Sequence, residues 1–246
     1  MRHGLWIAIA ALVGCQAVEG DGPGEGGTDV VPSRRRAVEV AYDTFERDVR
    51  LSDLPTSGGS RNRTRELTFN RAILRGHVSP FEDLTFSLGL TFEDIDDDTF
   101  VEEPSLDGQG VTLGVEWDPR LVGRLRADLG LSAGWYRSDE ISWRGLEVSY
   151  AELYTRAGIG LDLIDSARGG LDGPGRVTAR GGLYFDGIEG RYRADVPFPV
   201  DRRGDLTTGG PGVYLGMDVW SAPLFLRAVA WFGEREGIGL VAGLTF

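Results

Sequence analysis

The sequence predicts an all-β fold, an antiparallel up-and-down transmembrane β-barrel of about ten strands, within a range of about 8 to 12. Three observations predict it. Segments that alternate apolar and polar side chains recur from Ala37 to the C-terminus, short and long links alternate between them, and no segment carries a convincing helical period. The chain has 246 residues, which is long enough for one domain of this type.

Eight segments carry the clearest alternation. In the segment from Leu84 to Glu93, apolar side chains fall on every second position, with Thr, Ser, Gly and Glu between them. The other seven segments are 111–118, 125–136, 152–163, 177–186, 213–219, 224–232 and 238–246. Two weaker segments, 38–49 and 67–77, precede these. Their lengths fit the ~9–11 residues with which a tilted strand crosses a bilayer.

The links between these segments alternate in length, as turns on one side of a barrel and surface loops on the other would. The predicted short turns are 78–81, 119–123 and 222–223, and the predicted longer links are 52–62, 95–109, 139–145 and 188–206. Two links break the alternation. The link 164–174 is long for a turn, and 234–236 is short for a surface loop.

Alternation alone fits both a membrane barrel and a soluble barrel, which differ in the face that points inward. The polar face here is rich in Gly and Ser and carries Tyr154, Tyr184, Tyr214 and Trp231 beside charged groups, which suits a crowded lumen. Aromatic side chains on the apolar face gather near strand ends, as in the girdles at membrane interfaces. They are Phe92, Trp117, Trp135, Phe232 and Phe246. We therefore expect the apolar face to meet lipid.

The last nine residues, Ile238 to Phe246, alternate and end on an aromatic side chain. This segment resembles the terminal strand of bacterial outer-membrane β-barrels, which commonly ends in Phe and is recognised by the assembly machinery. The resemblance covers Ala37 to Phe246 and is to small outer-membrane barrels as a class. It implies an outer-membrane location, membrane lipid, lipopolysaccharide and the barrel-assembly machinery as partners, and Phe246 as the assembly signal.

The N-terminus has the pattern of an export signal. A short basic start is followed by a continuous apolar run from Leu5 to Val13 and then by small residues, which predicts a signal peptide over residues 1–17. The stretch that ends at Cys15 also resembles the lipobox of bacterial lipoproteins. Two interpretations stay open, lipidation of Cys15 or cleavage after Ala17. Residues 18–36 follow as a Gly-rich, acidic linker that we expect to be disordered, and 37–246 as the barrel.

The predicted inner face carries charges of both signs, and buried charges persist only when they are paired. If the turn at 222–223 is a two-residue hairpin, Asp218 faces Arg227. If the turn at 119–123 is centred on Leu121, Glu116 faces Arg126. We therefore predict a salt-bridged network in the lumen that stabilises the barrel and blocks free flow. Its members are Glu116, Arg126, Asp128, Glu152, Arg156, Arg180, Asp218 and Arg227.

No motif supports catalysis or a cofactor. After removal of the signal peptide the only histidine is His77, and no nucleophile motif has a suitable partner. The acidic run that begins at Asp94 starts like a calcium loop, but Thr99 and Ser105 stand where that loop needs Gly and Glu. We expect no catalytic residue, no resident metal and no cofactor. The net charge of −12 on an exported chain argues against nucleic-acid binding.

The function that these observations favour is that of a non-enzymatic outer-membrane barrel, with a largely closed lumen and surface loops that meet lipopolysaccharide or external partners. Two alternatives stay open. One is a narrow porin-like channel for small polar solutes. The other is a lipid-anchored soluble barrel that binds an apolar ligand. The sequence identifies neither a ligand nor an oligomeric state.

Overall fold

The computed structural model describes residues 35–56, 59–81, 83–96, 106–138, 146–165, 175–195 and 201–246. The predicted signal peptide with Cys15, and all but the end of the predicted linker, lie outside these residues. The strands are β1 (Arg35–Thr56), β2 (Gly59–Phe81), β3 (Leu84–Asp96), β4 (Leu106–Trp117), β5 (Arg120–Val122), β6 (Leu125–Ser138), β7 (Leu146–Asp165), β8 (Arg176–Asp195), β9 (Asp201–Ser221), β10 (Leu224–Gly233) and β11 (Glu236–Thr245).

The strands form one closed antiparallel sheet. Neighbours along the chain pair with each other, β1 pairs with β11, and β4 pairs with β6 past the three-residue strand β5. Ten long strands therefore form the wall, which confirms the predicted up-and-down barrel and its strand count. We call the end where β1 begins and β11 ends the proximal end. The opposite end, where β1, β3, β6, β8 and β10 end, is the distal end.

The strands are tilted because the pairing is staggered. A path from each residue to its partner on the next strand can be followed once around the wall. The path that starts at Ser138 of β6 returns to β6 at Arg126, twelve residues away. For ten strands, this stagger corresponds to a tilt of about 40°. Side chains at one height in the lumen therefore come from positions that shift steadily from strand to strand.

The proximal half of the wall is apolar outside. Leu88, Leu113 and Leu131 lie on neighbouring strands and are each about half exposed on the outer surface. The polar positions between them point inward. The expected orientation is therefore confirmed in this half, and it is the opposite of a soluble barrel with an apolar interior. Among the described residues, no helix is long and apolar enough to cross a membrane.

The distal half of the longer strands has the reverse polarity. Phe45, Val49 and Phe69 point inward and are at most 1 % exposed, whereas Asp48 and Glu66 on the same strands are exposed outside. This reversal explains why the predictions of surface loops over 52–62 and 188–206 were too long. Strands extend into both predicted loops, β1 and β2 into 52–62 and β8 and β9 into 188–206. They do so because their apolar side chains pack against each other inside the barrel.

The hairpin of β10 and β11 is shorter than its neighbours. Pairing between β9 and β10 ends at Gly212, next to Pro211, which has no backbone N–H to donate. Beyond the hairpin, β1 pairs directly with β9, with Arg50 opposite Thr207 and Leu51 opposite Leu206. The tip of the hairpin therefore lies below the distal rim, beside the lumen.

We predict that a charge placed on the apolar outer surface destabilises the barrel by an amount that depends on its depth. Leu113→Arg, in the middle of the apolar band, is expected to lower the free energy of unfolding by about 2–4 kcal/mol. Leu121→Arg in the proximal turn, where the side chain is similarly exposed, is expected to cost about 0–1 kcal/mol. Urea unfolding of the chain refolded in lipid vesicles measures both values. Equal losses at the two positions would contradict the membrane orientation.

Candidate functional site

The lumen is filled by side chains in successive layers along the barrel axis. From the distal end these are an apolar plug, an upper ionic layer, a small chamber and a lower ionic layer. The apolar plug consists of Phe45, Val49, Leu67, Phe69, Ile95, Tyr136, Val148, Tyr150, Ile188, Tyr192 and Leu206. Each of its side chains is at most 9 % exposed, so the distal end of the lumen is filled.

Aromatic rings hold the apolar plug together. The rings of Phe45 and Phe69 stack with centroids 5.1 Å apart, and those of Tyr136 and Tyr150 stack at 4.8 Å. Tyr150 joins the two pairs, because its ring meets Phe69 edge-on at 6.3 Å. Such ring contacts add to the free energy that the buried area itself supplies. The plug is therefore a packed core that lies inside the barrel wall.

The upper ionic layer lies directly below the apolar plug and is centred on Arg71. Arg71 donates hydrogen bonds to Glu152 at 2.6 Å, to Glu93 at 3.1 Å and to the Tyr150 hydroxyl at 3.0 Å. The Tyr150 hydroxyl donates in turn to Glu93 at 2.5 Å. The Arg71 guanidinium also lies over the ring of Tyr136, 4.5 Å from its centroid. The layer is thus bonded to the plug above it.

Two further arginines complete the upper ionic layer. Arg47 forms an ion pair with Asp186 and lies 3.8 Å from Glu152. Arg235, at the tip of the β10–β11 hairpin, lies 3.3 Å from Asp43 and within 4 Å of Glu152 and Asp186. The upper ionic layer therefore comprises Arg47, Arg71, Arg235, Asp43, Glu93, Glu152 and Asp186. With three cations and four carboxylates in mutual contact, these charges largely neutralise each other.

The tip of the hairpin is fixed in place by Arg235. Its guanidinium lies 3.7 Å from the centroid of the Phe45 ring and 4.2 Å from that of Trp231. Its backbone N–H donates to the Tyr184 hydroxyl at 2.9 Å, and that hydroxyl donates to the Arg235 carbonyl oxygen at 2.8 Å. A turn that the sequence marks only as unusually short therefore contributes a central luminal cation.

The lower ionic layer lies nearer the proximal end. Its members are Glu116, Asp118, Asp128, Asp218, Arg126, Arg156, Arg180 and Arg227. Asp128 accepts from Arg156 at 3.1 Å and from the Tyr214 hydroxyl at 2.7 Å, and it lies 3.2 Å from Arg180. Arg180 also lies 2.6 Å from Asp218. The layer crosses the lumen, because these residues come from strands on opposite sides of the wall.

The structure places seven of the eight predicted network residues in the lower ionic layer and the eighth, Glu152, in the upper one. Asp218 lies opposite Arg227, as expected, and the two form an ion pair at 2.9 Å. The expected pairing of Glu116 with Arg126 was wrong. Glu116 lies opposite Gly130, because β5 lengthens the turn, and Arg126 donates to the Asp118 carbonyl oxygen at 2.8 Å.

The sequence analysis missed most of the upper ionic layer. Glu39, Asp43 and Arg47 lie four residues apart on the inward face of β1, and Arg71 and Arg75 do so on β2. This signal was available but weak, because apolar side chains, those of Ala41, Phe45 and Ile73, interrupt the polar face. Arg75 lies 2.6 Å from Glu39 beside the lower ionic layer, and His77 lies 3.0 Å from the same carboxylate.

A chamber of about 140 Å³ separates the two ionic layers. One side of the chamber is lined by small and hydroxyl-bearing side chains from β3, β4 and β6. They are Ser87, Thr112, Gly114, Ser132 and Gly134. The other side is lined by the aromatic side chains of Tyr154, Tyr214 and Trp231. Gly114 and Gly134 allow the Ser87 and Tyr136 side chains to lie directly against the wall, since a Cβ at either position would overlap them.

Access to the lumen differs between its two ends. In the upper ionic layer, the side chains of Arg47, Asp186 and Glu93 are 0 % exposed. In the lower ionic layer, those of Glu116 and Arg227 are both 25 % exposed. The charged side chains of the upper ionic layer are thus more deeply buried than those of the lower ionic layer. Within the described part of the chain, no group of three or more His, Cys, Asp or Glu side chains is arranged to hold a metal ion.

Comparisons with known proteins find similarity in fold only. No protein-family model matches the chain, and no curated protein has a similar sequence. One similar solved structure is OprG from Pseudomonas aeruginosa, with 10 % identity and a TM-score of 0.48; the match covers 87 % of this chain and 96 % of that chain. Another is the outer membrane protein AlkL in lipid bilayers, with 10 % identity and a TM-score of 0.49; the match covers 93 % of this chain and 97 % of that chain. A third is the outer membrane protease OmpT from Escherichia coli, with 10 % identity and a TM-score of 0.41; the match covers 87 % of this chain and 95 % of that chain. The closed wall, apolar outside and ionic inside, gives this chain the architecture of a small outer-membrane β-barrel.

We predict that removing one buried charge from the upper ionic layer is costly. Glu152→Gln leaves the three arginines around it with one carboxylate fewer, which is expected to lower the free energy of unfolding by about 3–5 kcal/mol. The matched control is Glu147→Gln, whose partner Arg137 is 70 % exposed, with an expected cost of about 0–1 kcal/mol. Urea unfolding in detergent micelles measures both variants. A loss at Glu152 no larger than that at Glu147 would contradict a buried network.

Proposed function

We propose that the protein is a non-enzymatic outer-membrane β-barrel with a closed lumen, whose distal surface meets lipopolysaccharide or external partners. The observation that supports this proposal is the burial of two successive layers of side chains in the distal lumen. Residues of the apolar plug are at most 9 % exposed, and the side chains of the upper ionic layer below it are at most 14 % exposed. A solute would have to pass both layers.

The chemistry of the lumen supports a non-enzymatic role. Hydrolytic sites need a nucleophile, base or acid that is free to exchange a proton with a substrate. Here the carboxylates of both ionic layers are bound to arginines. His77, the one histidine among the described residues, lies against Glu39. The side chains that could move a proton are thus already engaged with each other.

The outer surface supports the outer membrane as the location. The proximal half presents leucines and aromatic rings, and the distal half presents charged side chains such as Asp48 and Arg191. A group of outward-facing polar side chains lies where the proximal and distal halves of the outer surface meet. In it, Tyr42 and Thr44 both donate hydrogen bonds to Asn70, and Asn70 donates one to Asp96. In this orientation the proximal end faces the periplasm. Exposed arginines of the distal half, including Arg191, are suited to the phosphates of lipopolysaccharide.

The first test is electrical conductance. We predict that the purified chain, inserted into planar lipid bilayers, gives no stable conductance steps, because the plug and the upper ionic layer close the lumen. Heat-modifiable mobility on a gel checks that the inserted protein is folded, and a porin of known conductance checks the bilayer. Stable unitary steps from the folded chain would contradict the closed lumen.

One observation favours a second candidate function, a narrow channel for small polar solutes. The chamber between the ionic layers is a polar space that such a channel would need. The conductance measurement separates the two candidates. An apolar ligand in the proximal lumen, as in a lipid-anchored soluble barrel, does not match the charged lining found there.

The second test concerns assembly. Phe246 is 68 % exposed, so Phe246→Ala removes little packing within the barrel. If Phe246 is the signal that the assembly machinery reads, this variant is expected to reach the outer membrane several-fold less than the natural chain while refolding equally well in vitro. Phe232→Ala, which truncates another outward ring, is the matched control. The measurement is the amount of heat-modifiable protein in the outer-membrane fraction. Equal amounts for all three chains would contradict the signal.

A further inference from the structure

We infer that the chamber between the two ionic layers binds one small, neutral, polyhydroxylated solute of monosaccharide size, which enters from the proximal end. This goes beyond the closed-barrel function, since a chamber that opens at one end binds without conducting. At about 140 Å³, the chamber holds the equivalent of about ten water molecules. That number is comparable with the non-hydrogen atoms of one sugar ring.

The two walls of the chamber differ in a way that suits such a solute. Ser87 and Ser132 bring hydroxyl-bearing side chains to one side. On the other side, Trp231 donates its indole N–H to the Tyr154 hydroxyl at 3.2 Å, and the Tyr214 hydroxyl is bonded to Asp128. The polar ends of these aromatic side chains are therefore engaged, and their rings offer apolar surface. A sugar ring presents hydroxyl groups at its edge and C–H bonds on its faces, which match the two walls.

The charges around the chamber favour a neutral solute over an ion. Six arginines line it, and each has a carboxylate within 4 Å. They are Arg71, Arg75, Arg156, Arg180, Arg227 and Arg235. Each carboxylate in the lining is likewise paired with an arginine. An ionic ligand would have to break one of these pairs or remain unpaired itself, and both are costly away from water. A neutral solute with many hydroxyl groups can bond to the outer atoms of the pairs and leave them intact.

The route into the chamber follows from the exposure of the two layers. Glu116 and Arg227, on the proximal side of the chamber, are partly exposed, whereas Arg71 and Glu152 on its distal side are at most 5 % exposed. The solute therefore reaches the chamber through the lower ionic layer. In the proposed membrane orientation this is the periplasmic side, but binding itself does not depend on that assignment.

Equilibrium binding of radiolabelled probes to the full chain tests the inference. The protein is folded in a detergent without a sugar headgroup, and the probes are glucose and inositol as neutral polyols, with inorganic phosphate and glycine as charged probes. We expect saturable binding of one neutral probe per chain and none of the charged probes. Ser132→Leu fills the chamber and is expected to weaken binding at least tenfold. Ala133→Leu, on the lipid side of the same strand, should leave binding unchanged.

Ser132→Ala keeps the test decisive if Ser132→Leu fails to fold. This variant removes one hydroxyl with almost no change in volume, and loss of one hydrogen bond corresponds to binding weakened about three- to tenfold. Heat-modifiable mobility verifies the fold of every variant. The inference is overturned if neither glucose nor inositol binds saturably to the folded chain, if Ser132→Leu and Ala133→Leu bind equally, or if phosphate or glycine occupies the chamber instead. None of these outcomes bears on conductance, so the closed-barrel function is judged separately.

Discussion

Neutralisation of charge across the lumen is the constraint on which this structure depends. A barrel wall has no free edges, so its backbone groups are paired within the sheet, but its inward side chains must find partners inside a narrow space. Arg227 on β10 lies 3.3 Å from Glu116 on β4, and Arg71 on β2 lies 2.6 Å from Glu152 on β7. These contacts cross the barrel and are much more distant in sequence than hairpin pairs. They are possible only when the wall closes with the observed stagger.

Such pairs define the fold more than they stabilise it. Bringing two charges out of water costs about as much as their attraction returns, so a complete pair adds little to the free energy of folding. An incomplete pair is expensive, because one charge remains buried without a partner. A barrel with a different stagger would leave Arg71 or Asp128 in this state. The ionic layers therefore select one register among those that the apolar outer surface would tolerate.

The alternation of side chains was enough to predict the wall but not the layers within it. From Leu84 to Phe92 every second residue is apolar and points to lipid, so strand and face followed directly from the sequence. The distal strands were harder to predict because their polarity reverses, and Val49 and Ile188 point inward where a lipid-facing pattern predicts the opposite. Most luminal charges on the strands with the clearest alternation were found, whereas those on β1 and β2 were missed, as was Arg235 in a turn without alternation. Pairing across the lumen depends on the stagger, which no local pattern reveals.

The two buried layers of the distal lumen are held together by different interactions. The apolar plug is held by ring contacts between residues that are at most 9 % exposed. The upper ionic layer obstructs by its bonds, since moving Arg71 aside means separating it from both Glu93 and Glu152. Arg71 contacts both layers, because its guanidinium also lies over the Tyr136 ring and donates to the Tyr150 hydroxyl. A movement of Arg71 that separates these ion pairs therefore also disturbs the ring packing above it, so each layer restrains the other.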